Sequence, residues 1–401
     1  MGIAIARRFL LSLGQLVISL MHRRHFLTGL LALAAWSAAG CQRNADAALR
    51  VAVQQGALPP QLLTTVRAAI AEATSLRVVK QDSLAELFQQ LQQWHAALQS
   101  DPTGAALNPA DWICLSDYWL LPAIQQELVS PLENATQLSG WETLPPVWST
   151  VLRRNQQGMP TEDGAVWGTP YRWQHLMMVY DRRYFDPMGW APTAWSDLLR
   201  PELRERISLP NHPRWVLGLL LKSLNYSANV PDPNAYPEVV SAVDTLRSQV
   251  KVYATAYYLQ SLIVGDVSLA VGWSHDIQPL LSRYRYLQAV SPAPGTLLSA
   301  DVWAKPNPSA EGGSAIALSA LDQQWLQYWW QPEVVTPLSL FAQGLSPLLL
   351  SPEAATRPFE LSAETPPLNP EQLQNSEFVQ PLDEAAIANY TQLWRRLRGG
   401  E

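Results

Sequence analysis

The chain has 401 residues, 28 of them basic and 34 acidic, and a formal net charge of −6 at neutral pH. A net negative charge and the lack of a run of lysine and arginine argue against a nucleic-acid partner. A chain of this length favours two lobes or domains over one core.

Residues 1–41 predict an export signal that ends in a lipidated cysteine. In "HRRHFLTGLLALAAWSAAGC", residues 22–41, two arginines precede an uncharged run, and small residues precede Cys41. The run is shorter than the about 20 residues of a spanning helix, and this order of regions is typical of a signal peptide. Its end resembles a bacterial lipobox, and Arg23 with Arg24 resembles a twin-arginine export signal. A buried N-terminal helix is the alternative.

Residues 1–20 form a second basic and apolar segment ahead of Met21. We therefore expect Met21 to be the true start, with a two-segment anchor as the alternative. The segment 1–41 carries four arginines and no acidic residue, so residues 42–401 are more acidic than the whole chain.

After the signal, strand and helix patterns alternate. Apolar runs at Leu49–Val53 and Leu76–Lys80 and in "DWICLS" predict strands, and each precedes a helical pattern. The first helix is predicted at Gln61–Glu72, and Ser83 with Glu86 predicts a capping box at the start of the second. This alternation predicts a mostly parallel sheet covered by helices. Later strands are predicted at 266–273 and 299–306, and later helices at 194–199, 215–223, 237–248, 313–330 and 383–397.

The residues that could carry catalysis or bind a metal are sparse. If Cys41 is lipidated, Cys114 has no partner for a disulfide, and its apolar surroundings predict a buried strand residue rather than a catalytic thiol. No nucleophile elbow, P-loop or dinucleotide motif occurs in the sequence. The histidines after the signal are too scattered for a metal site, and they are His95, His175, His212 and His275. We therefore expect no enzyme, metal or cofactor.

Several segments resemble one known family in their order and spacing. They include "LRVAVQQGALPPQLLTTV", "DWICLSDYWL", "VWGTPYRWQHLMMVYDRRYF", "VSLAVGWSHD" and "GTLLSADVWAKPNPS". Together they resemble the periplasmic solute-binding proteins of ABC importers, and more narrowly the spermidine/putrescine-binding group. The resemblance extends over nearly all of the chain after the signal, at low identity.

The resemblance implies an α/β chain with the two-lobed fold of type II periplasmic binding proteins. Each lobe would be a mixed, mostly parallel sheet flanked by helices, and the ligand would bind in the cleft between the lobes. Lobe 1 is expected at 46–168 and 298–345, and lobe 2 at 169–297 and 346–399. The chain would cross between them near 167–171 and 292–299.

The resemblance also implies an aromatic and acidic site at the strand ends. Tyr118, Trp173 and Trp273 match positions that face the cleft in the family, and aromatic faces attract the ammonium groups of a polyamine. Asp301 in "SADVW" matches the family aspartate that holds an amine, since a buried ammonium needs a carboxylate. Core packing is the alternative for the aromatics, and loop capping is the alternative for Asp301.

The amine-binding residues match the family less well than the scaffold does. Where the family has an acidic pair, "LPNHPRW" carries His212 and Trp215, and Ser299 replaces an aromatic. Two glutamines stand in the first loop, and Asp117 could supply a replacement carboxylate. The ligand would then carry a single amine, or be an amide or zwitterion. The candidate ligand-binding residues are Gln54, Gln55, Ser116, Asp117, Tyr118, Trp173, His212, Trp215, Trp273 and Asp301.

We therefore predict a monomeric solute-binding lipoprotein that is anchored to a membrane in the periplasm. It would deliver a small cationic, polyamine-like solute to the permease of an ABC transporter. Two alternatives stay open. One is a structural or accessory lipoprotein with the same fold and no transport ligand. The other is an Fe(III) binder that uses the adjacent Tyr257 and Tyr258.

Overall fold

The computed structural model describes residues 49–70, 75–101, 109–309, 314–355 and 368–399. The predicted signal, the alternative start Met21 and the lipidation site Cys41 lie outside the described residues. None of the helices within these ranges is both long and apolar enough to cross a membrane.

Strands and helices alternate at the start of the described chain, as the apolar runs predict. The strands are β1 (Leu49–Gln54), β2 (Leu76–Gln81), β3 (Trp112–Ser116), β4 (Val129–Ser130), β5 (Arg153–Arg154), β6 (Ala165–Val166), β7 (Thr169–Asp181), β8 (Ile207–Pro210), β9 (Val250–Ala254), β10 (Leu269–Trp273), β11 (Leu287–Val290), β12 (Leu297–Pro306) and β13 (Glu377–Phe378). The α-helices are α1 (Pro60–Ala69), α2 (Leu84–Ser100), α3 (Asp117–Gln125), α4 (Val147–Leu152), α5 (Arg182–Phe185), α6 (Pro213–Ser223), α7 (Pro237–Gln249), α8 (Gln260–Ile263), α9 (Ser274–Arg283), α10 (Ala320–Tyr328), α11 (Val335–Ala342), α12 (Pro352–Ala355), α13 (Pro370–Gln374) and α14 (Glu384–Arg398).

Eleven of these strands form one mixed sheet in the order β2-β1-β3-β12-β7-β10-β8-β9, with β4 and β13 beside β12 and β11 beside β7. The outer strands pair in parallel, β1 with β2 and β3, and β8 with β9 and β10. At the centre, β12 runs antiparallel to β3 and β7, and β7 runs antiparallel to β10. The predicted mixed sheet is therefore confirmed. Its parallel pairs lie in the outer parts, and antiparallel pairs lie at the centre, where the chain returns along β12.

Three apolar clusters pack against the sheet. The first core combines residues from 49–173 with residues from 298–378, and the second combines 176–297 with 379–397. A smaller third cluster packs within 177–287. The predicted lobe limits at 168/169 and 297/298 lie close to this division. However, the second segment of lobe 2 was predicted to begin at 346, whereas five later residues pack in the first core: Leu349, Leu350, Leu368, Leu373 and Phe378. The lobes themselves remain a prediction.

Strands β7 and β12 carry unusual buried polar residues. All 13 residues of β7 are buried, as are the first eight of β12. Within them, Arg172 and Gln174 of β7 and Ser299 and Asp301 of β12 are buried polar side chains. A polar group inside a protein needs a hydrogen-bond partner, so these residues identify the centre of the sheet as the place to look for function.

Most predicted elements are present with shifted ends. The Ser83 hydroxyl accepts the Glu86 N–H at the start of α2, which confirms one half of the predicted capping box. Strand β10 begins at Leu269, three residues later than predicted, and the predicted helix 194–199 is a 3₁₀-helix. Cys114 is a buried residue of β3, as its apolar surroundings predict.

Candidate functional site

The candidate site lies where β3 and β10 end beside β7. Ser116, the last residue of β3, lies opposite Asp301, which in turn lies opposite Arg172 of β7. Trp273, the last residue of β10, lies opposite Leu176 of β7. Because β3 and β10 run in opposite directions, their carboxyl ends face each other across residues 172–176, about 13 Å of strand. Helices α3 and α9 continue directly from these two ends.

Four predicted site residues form one aromatic cluster, which we call the aromatic bridge: Tyr118, His212, Trp215 and Trp273. The Tyr118 ring contacts the edge of His212 at 5.0 Å between centroids, and His212 stacks on Trp215 at 4.0 Å. Trp215 meets Trp273 edge to face at 5.1 Å. Tyr118 stands on α3, which packs in the first core, whereas Trp215 and Trp273 pack with the second. The aromatic bridge thus connects the two cores.

His212 holds its place in the bridge as a neutral ring. Its Nδ1 accepts the Trp215 N–H at 3.4 Å and so caps the first turn of α6. Burial lowers the pKa of His212 to about 4, and the charge of Arg214 acts in the same direction. A neutral imidazole stacked on an indole adds aromatic surface to the site and no charge.

Asp301, the predicted anchor for an amine, already has a cationic partner. Its Oδ2 accepts the Nε–H of Arg172 at 2.6 Å, and both side chains are only about 6% exposed. The Arg172 guanidinium also donates to the Ala342 carbonyl. Burial alone would lower the pKa of Arg172, but the Asp301 carboxylate raises it above its ordinary value. The expectation that Asp301 is free to bind an amine is therefore not met in this structure.

Gly344 allows Arg172 to lie in this position. A Cβ atom on Gly344 would come within 2.6 Å of the Arg172 Cδ, closer than real contacts allow. The segment that follows α11 thus packs directly against the arginine stem.

Asp117 is the second buried carboxylate of the site. Its Oδ1 accepts the Ala300 N–H and the Ser299 hydroxyl, both at 2.9 Å, and the Ser116 hydroxyl at 3.3 Å. Burial raises the pKa of Asp117 in spite of these donors, which act in the opposite direction. The side chain also lines a cavity of about 350 Å³ together with Arg154. Asp117 forms no ion pair within 4 Å among the described residues.

A row of polar side chains connects these groups along one face of the sheet. Gln174 lies opposite Ser299, two positions along the ladder from the pair of Arg172 and Asp301. Residues at paired and alternate positions point to the same face. The Gln174 Oε1 atom is buried and has no hydrogen-bond partner among the described residues. Sequence reasoning missed Arg172 and Gln174, although polar residues at alternate positions of a buried strand are a usable signal.

Three of the predicted site residues belong neither to the aromatic bridge nor to the hydrogen-bonded groups around Asp117 and Asp301. Trp173 lies between Arg172 and Gln174, so it points to the opposite face, where its Nε1–H donates to the Ser346 carbonyl at 2.9 Å. It is a buried member of the first core, so its placement does not support the predicted role in the site, which stays a prediction. Gln54 is the last residue of β1 and Gln55 follows it, and neither side chain forms a hydrogen bond within the described ranges.

The tyrosine pair considered for Fe(III) is divided between solvent and core. Tyr257 is 87% exposed, whereas Tyr258 is buried and donates its hydroxyl hydrogen to Asp276. Burial raises the pKa of Tyr258 well above its ordinary value, and the Asp276 charge adds to this, so a phenolate is disfavoured. No cluster of three or more metal-binding His, Cys, Asp or Glu side chains occurs in the part of the chain that the structure describes.

Comparison with known proteins identifies the family to which the chain belongs. Residues 108–367, well over half of the chain, match the model of a family described as bacterial extracellular solute-binding proteins. The putrescine/cadaverine-binding protein of Pseudomonas aeruginosa is 25% identical over 120 residues, 29% of this chain and 34% of that protein. The spermidine/putrescine-binding periplasmic protein of Salmonella typhimurium is 24% identical over 147 residues, 37% of this chain and 42% of that protein. The chain thus matches less than half the length of either relative.

Solved structures share the fold over most of the chain. A spermidine/putrescine ABC transporter substrate-binding protein from Streptococcus pneumoniae superimposes with a TM-score of 0.66 at 22% identity, covering 88% of this chain and 98% of that one. A periplasmic thiamin binding protein superimposes with a TM-score of 0.52 at 15% identity, covering 87% and 95%. At these identities the likeness shows the fold alone, which is the predicted fold of periplasmic binding proteins. The family consists of binding proteins rather than enzymes, in agreement with the predicted non-catalytic role.

The depressed pKa of His212 predicts a loss of stability in mild acid. The unfolded chain takes up a proton at His212 near pH 6.5, whereas the folded chain does so only near pH 4. The contribution of His212 to the free energy of unfolding is therefore fully present above pH 6.5 and is lost as the pH falls towards 4. We expect His212→Gln to recover about 1–2 kcal/mol of the loss between pH 7 and pH 5, measured by urea unfolding. Burial also lowers the pKa of His175 to about 4, so the variant still loses the stability that depends on the neutral form of His175. Parallel pH profiles for the two proteins would contradict the prediction.

Proposed function

This chain belongs to the bacterial extracellular solute-binding proteins, and we propose that it binds a small cationic organic solute of the polyamine type between its two cores. The observation that carries the proposal is the aromatic bridge, which joins Tyr118 beside the first core to Trp215 and Trp273 of the second. Ligand sites are commonly found between packed units, where aromatic walls surround a few polar groups. The relatives named for putrescine, cadaverine and spermidine support this class of solute.

The side chains of the site suit an amine attached to a hydrocarbon chain. The faces of Trp215 and Trp273 would pack on methylene groups and attract an ammonium through the negative ring face. Asp117 would provide the opposite charge, since its carboxylate is buried and without an ion pair in the described residues. The hydroxyls of Ser116 and Ser299 beside it would complete the polar floor.

The same proposal extends to location and partners. The lipobox-like end at Cys41 supports export and a lipid anchor at a membrane facing the periplasm. A tethered binding protein would act as a monomer that presents its solute to an ABC permease. It would carry out no covalent chemistry, so its contribution to transport is capture and delivery.

A second candidate function follows from the ion pair of Asp301. The carboxylate that matches the family's amine-binding aspartate is buried and neutralised by Arg172. This favours an accessory lipoprotein that keeps the fold without a transport ligand. The Fe(III) alternative has less support, because the Tyr258 hydroxyl is already bonded to Asp276.

A thermal-shift screen of the purified protein separates these functions. The screen would contain spermidine, 1,4-diaminobutane, singly charged amines, amino acids, compatible solutes and Fe(III). We expect an amine to stabilise the protein, by about 2.7 kcal/mol at a hundred times its dissociation constant. Stabilisation by a solute of another class would mean that the site binds that solute instead of an amine. Absence of any shift would support the accessory role.

Tyr118 provides a direct test of the aromatic bridge. Tyr118 is 42% exposed, so Tyr118→Ala should lower the free energy of unfolding only by the about 0.5–1.5 kcal/mol of an aromatic pair and leave the protein folded. We expect the same change to weaken amine binding about tenfold in titration calorimetry, because one wall of the site is lost. Tyr257→Ala, at a tyrosine that is 87% exposed and away from the bridge, is the matched control. Equal affinity of the two variants would exclude Tyr118 from the site.

The lipid anchor has its own test. Cells that express the full chain and are fed an alkyne fatty acid should incorporate the label into the protein. Cys41→Ser should abolish labelling and release the protein into the soluble periplasmic fraction, since no other thiol precedes the fold. Cys114→Ser should remain labelled, because that thiol is buried in β3. Labelling that persists in Cys41→Ser would disprove the anchor.

A further inference from the structure

We infer that the site selects solutes with one cationic nitrogen over diamines, because Arg172 is a built-in cation that occupies Asp301. The inference rests on the proposed function in its broader form, binding of a small organic cation, and narrows that class to solutes with a single amine rather than a polyamine. It makes Arg172 a residue that determines specificity and Gln174 an acceptor for an uncharged N–H group of the solute.

The register of the sheet places these groups in one site. Asp301 lies opposite both Ser116 and Arg172, and Ser299, two residues before it, lies opposite Gln174. Leu176 lies on that same face of β7, and Trp273 lies opposite Leu176. The ion pair is therefore at one end of a row that leads through Gln174 to the tryptophan of the aromatic bridge.

The row contains two carboxylates but only one without an ion pair. Asp117 accepts hydrogen bonds from two hydroxyls and an N–H, and no cation lies within 4 Å of it in the described residues. Asp301 is bonded to Arg172 at 2.6 Å. One ammonium can therefore be paired by the protein, and a second ammonium on the same solute would enter the site without a counter-ion.

Displacement of Arg172 by a second ammonium is disfavoured. The guanidinium also donates to the Ala342 carbonyl, and Gly344 lies against its stem. An ammonium that took Asp301 would leave this guanidinium buried beside no carboxylate, which costs more than the new pair returns.

Gln174 offers what the second end of such a solute needs. Its Oε1 atom is buried and lacks a partner among the described residues, whereas buried carboxamide oxygens are normally bonded. An amide N–H of the solute would satisfy this acceptor with no charge to be buried. A solute with an amine at one end and a neutral donor at the other therefore fits the row.

Titration calorimetry with two solutes of similar length tests the inference. We expect the wild-type protein to bind 4-aminobutanamide at least tenfold more tightly than 1,4-diaminobutane. Arg172→Gln frees Asp301 and should lower that preference at least tenfold, through tighter binding of the diamine. Arg183→Gln, which breaks an ion pair of the same 2.6 Å length at a 62% exposed arginine, should keep the wild-type preference.

A double variant that lacks both charges keeps the inference testable if Arg172→Gln alone does not fold. Arg172→Gln with Asp301→Asn removes both charges together, so it should fold and retain the preference for the amide. A wild-type preference for the diamine, an unchanged preference in folded Arg172→Gln, or a shift towards the diamine in the double variant would overturn the inference. Absence of binding by either amine to the wild-type protein would instead refute the proposed function.

Discussion

Arg172 and Asp301 are opposite charges buried at paired positions on β7 and β12, the two strands that join the first core to the second. Either charge alone would be very costly at this depth, so each requires the other. A slip of one residue between the strands would turn the two side chains to different faces and leave both unpaired. The ion pair therefore fixes the register of the central strands, and the positions of Gln174, Ser299 and the end of β3 follow from that register.

The outer parts of the fold could be predicted because their signals are local. A short apolar run followed by a helical pattern is enough to predict the elements from β1 to α3. The N-cap residue Ser83 also indicates where α2 begins. The centre could not be predicted in the same way. Strand β12 returns antiparallel between β3 and β7, and nothing within "LLSADVWAKP" indicates which strands lie beside it. Pairing between segments that are more than a hundred residues apart is decided by packing of the whole chain.

The candidate site shows the same contrast between features with local signals and features that depend on distant residues. The clustering of the aromatic bridge could be predicted because each of its four residues stands at a strand end or helix start, where side chains point towards a common edge. Their role in binding stays a prediction. Trp173 lies between Arg172 and Gln174, and this alternation indicates that its side chain points away from the polar row, a signal that the sequence analysis did not use. The neutralisation of Asp301 escaped prediction because its partner lies 129 residues away.

The contacts that join the two cores differ greatly in strength. The ring contact of Tyr118 with His212 involves a side chain that is 42% exposed, and such aromatic pairs contribute about 0.5–1.5 kcal/mol. Strands β7 and β12, in contrast, form a ladder of backbone pairs between residues 169–175 and 298–303. Separation of Tyr118 from His212 would thus open the aromatic side of the site at low cost and leave the polar row on β7 and β12 intact. A solute of the proposed class would then enter beside a preformed polar row, without rearrangement of the side chains on β7 and β12.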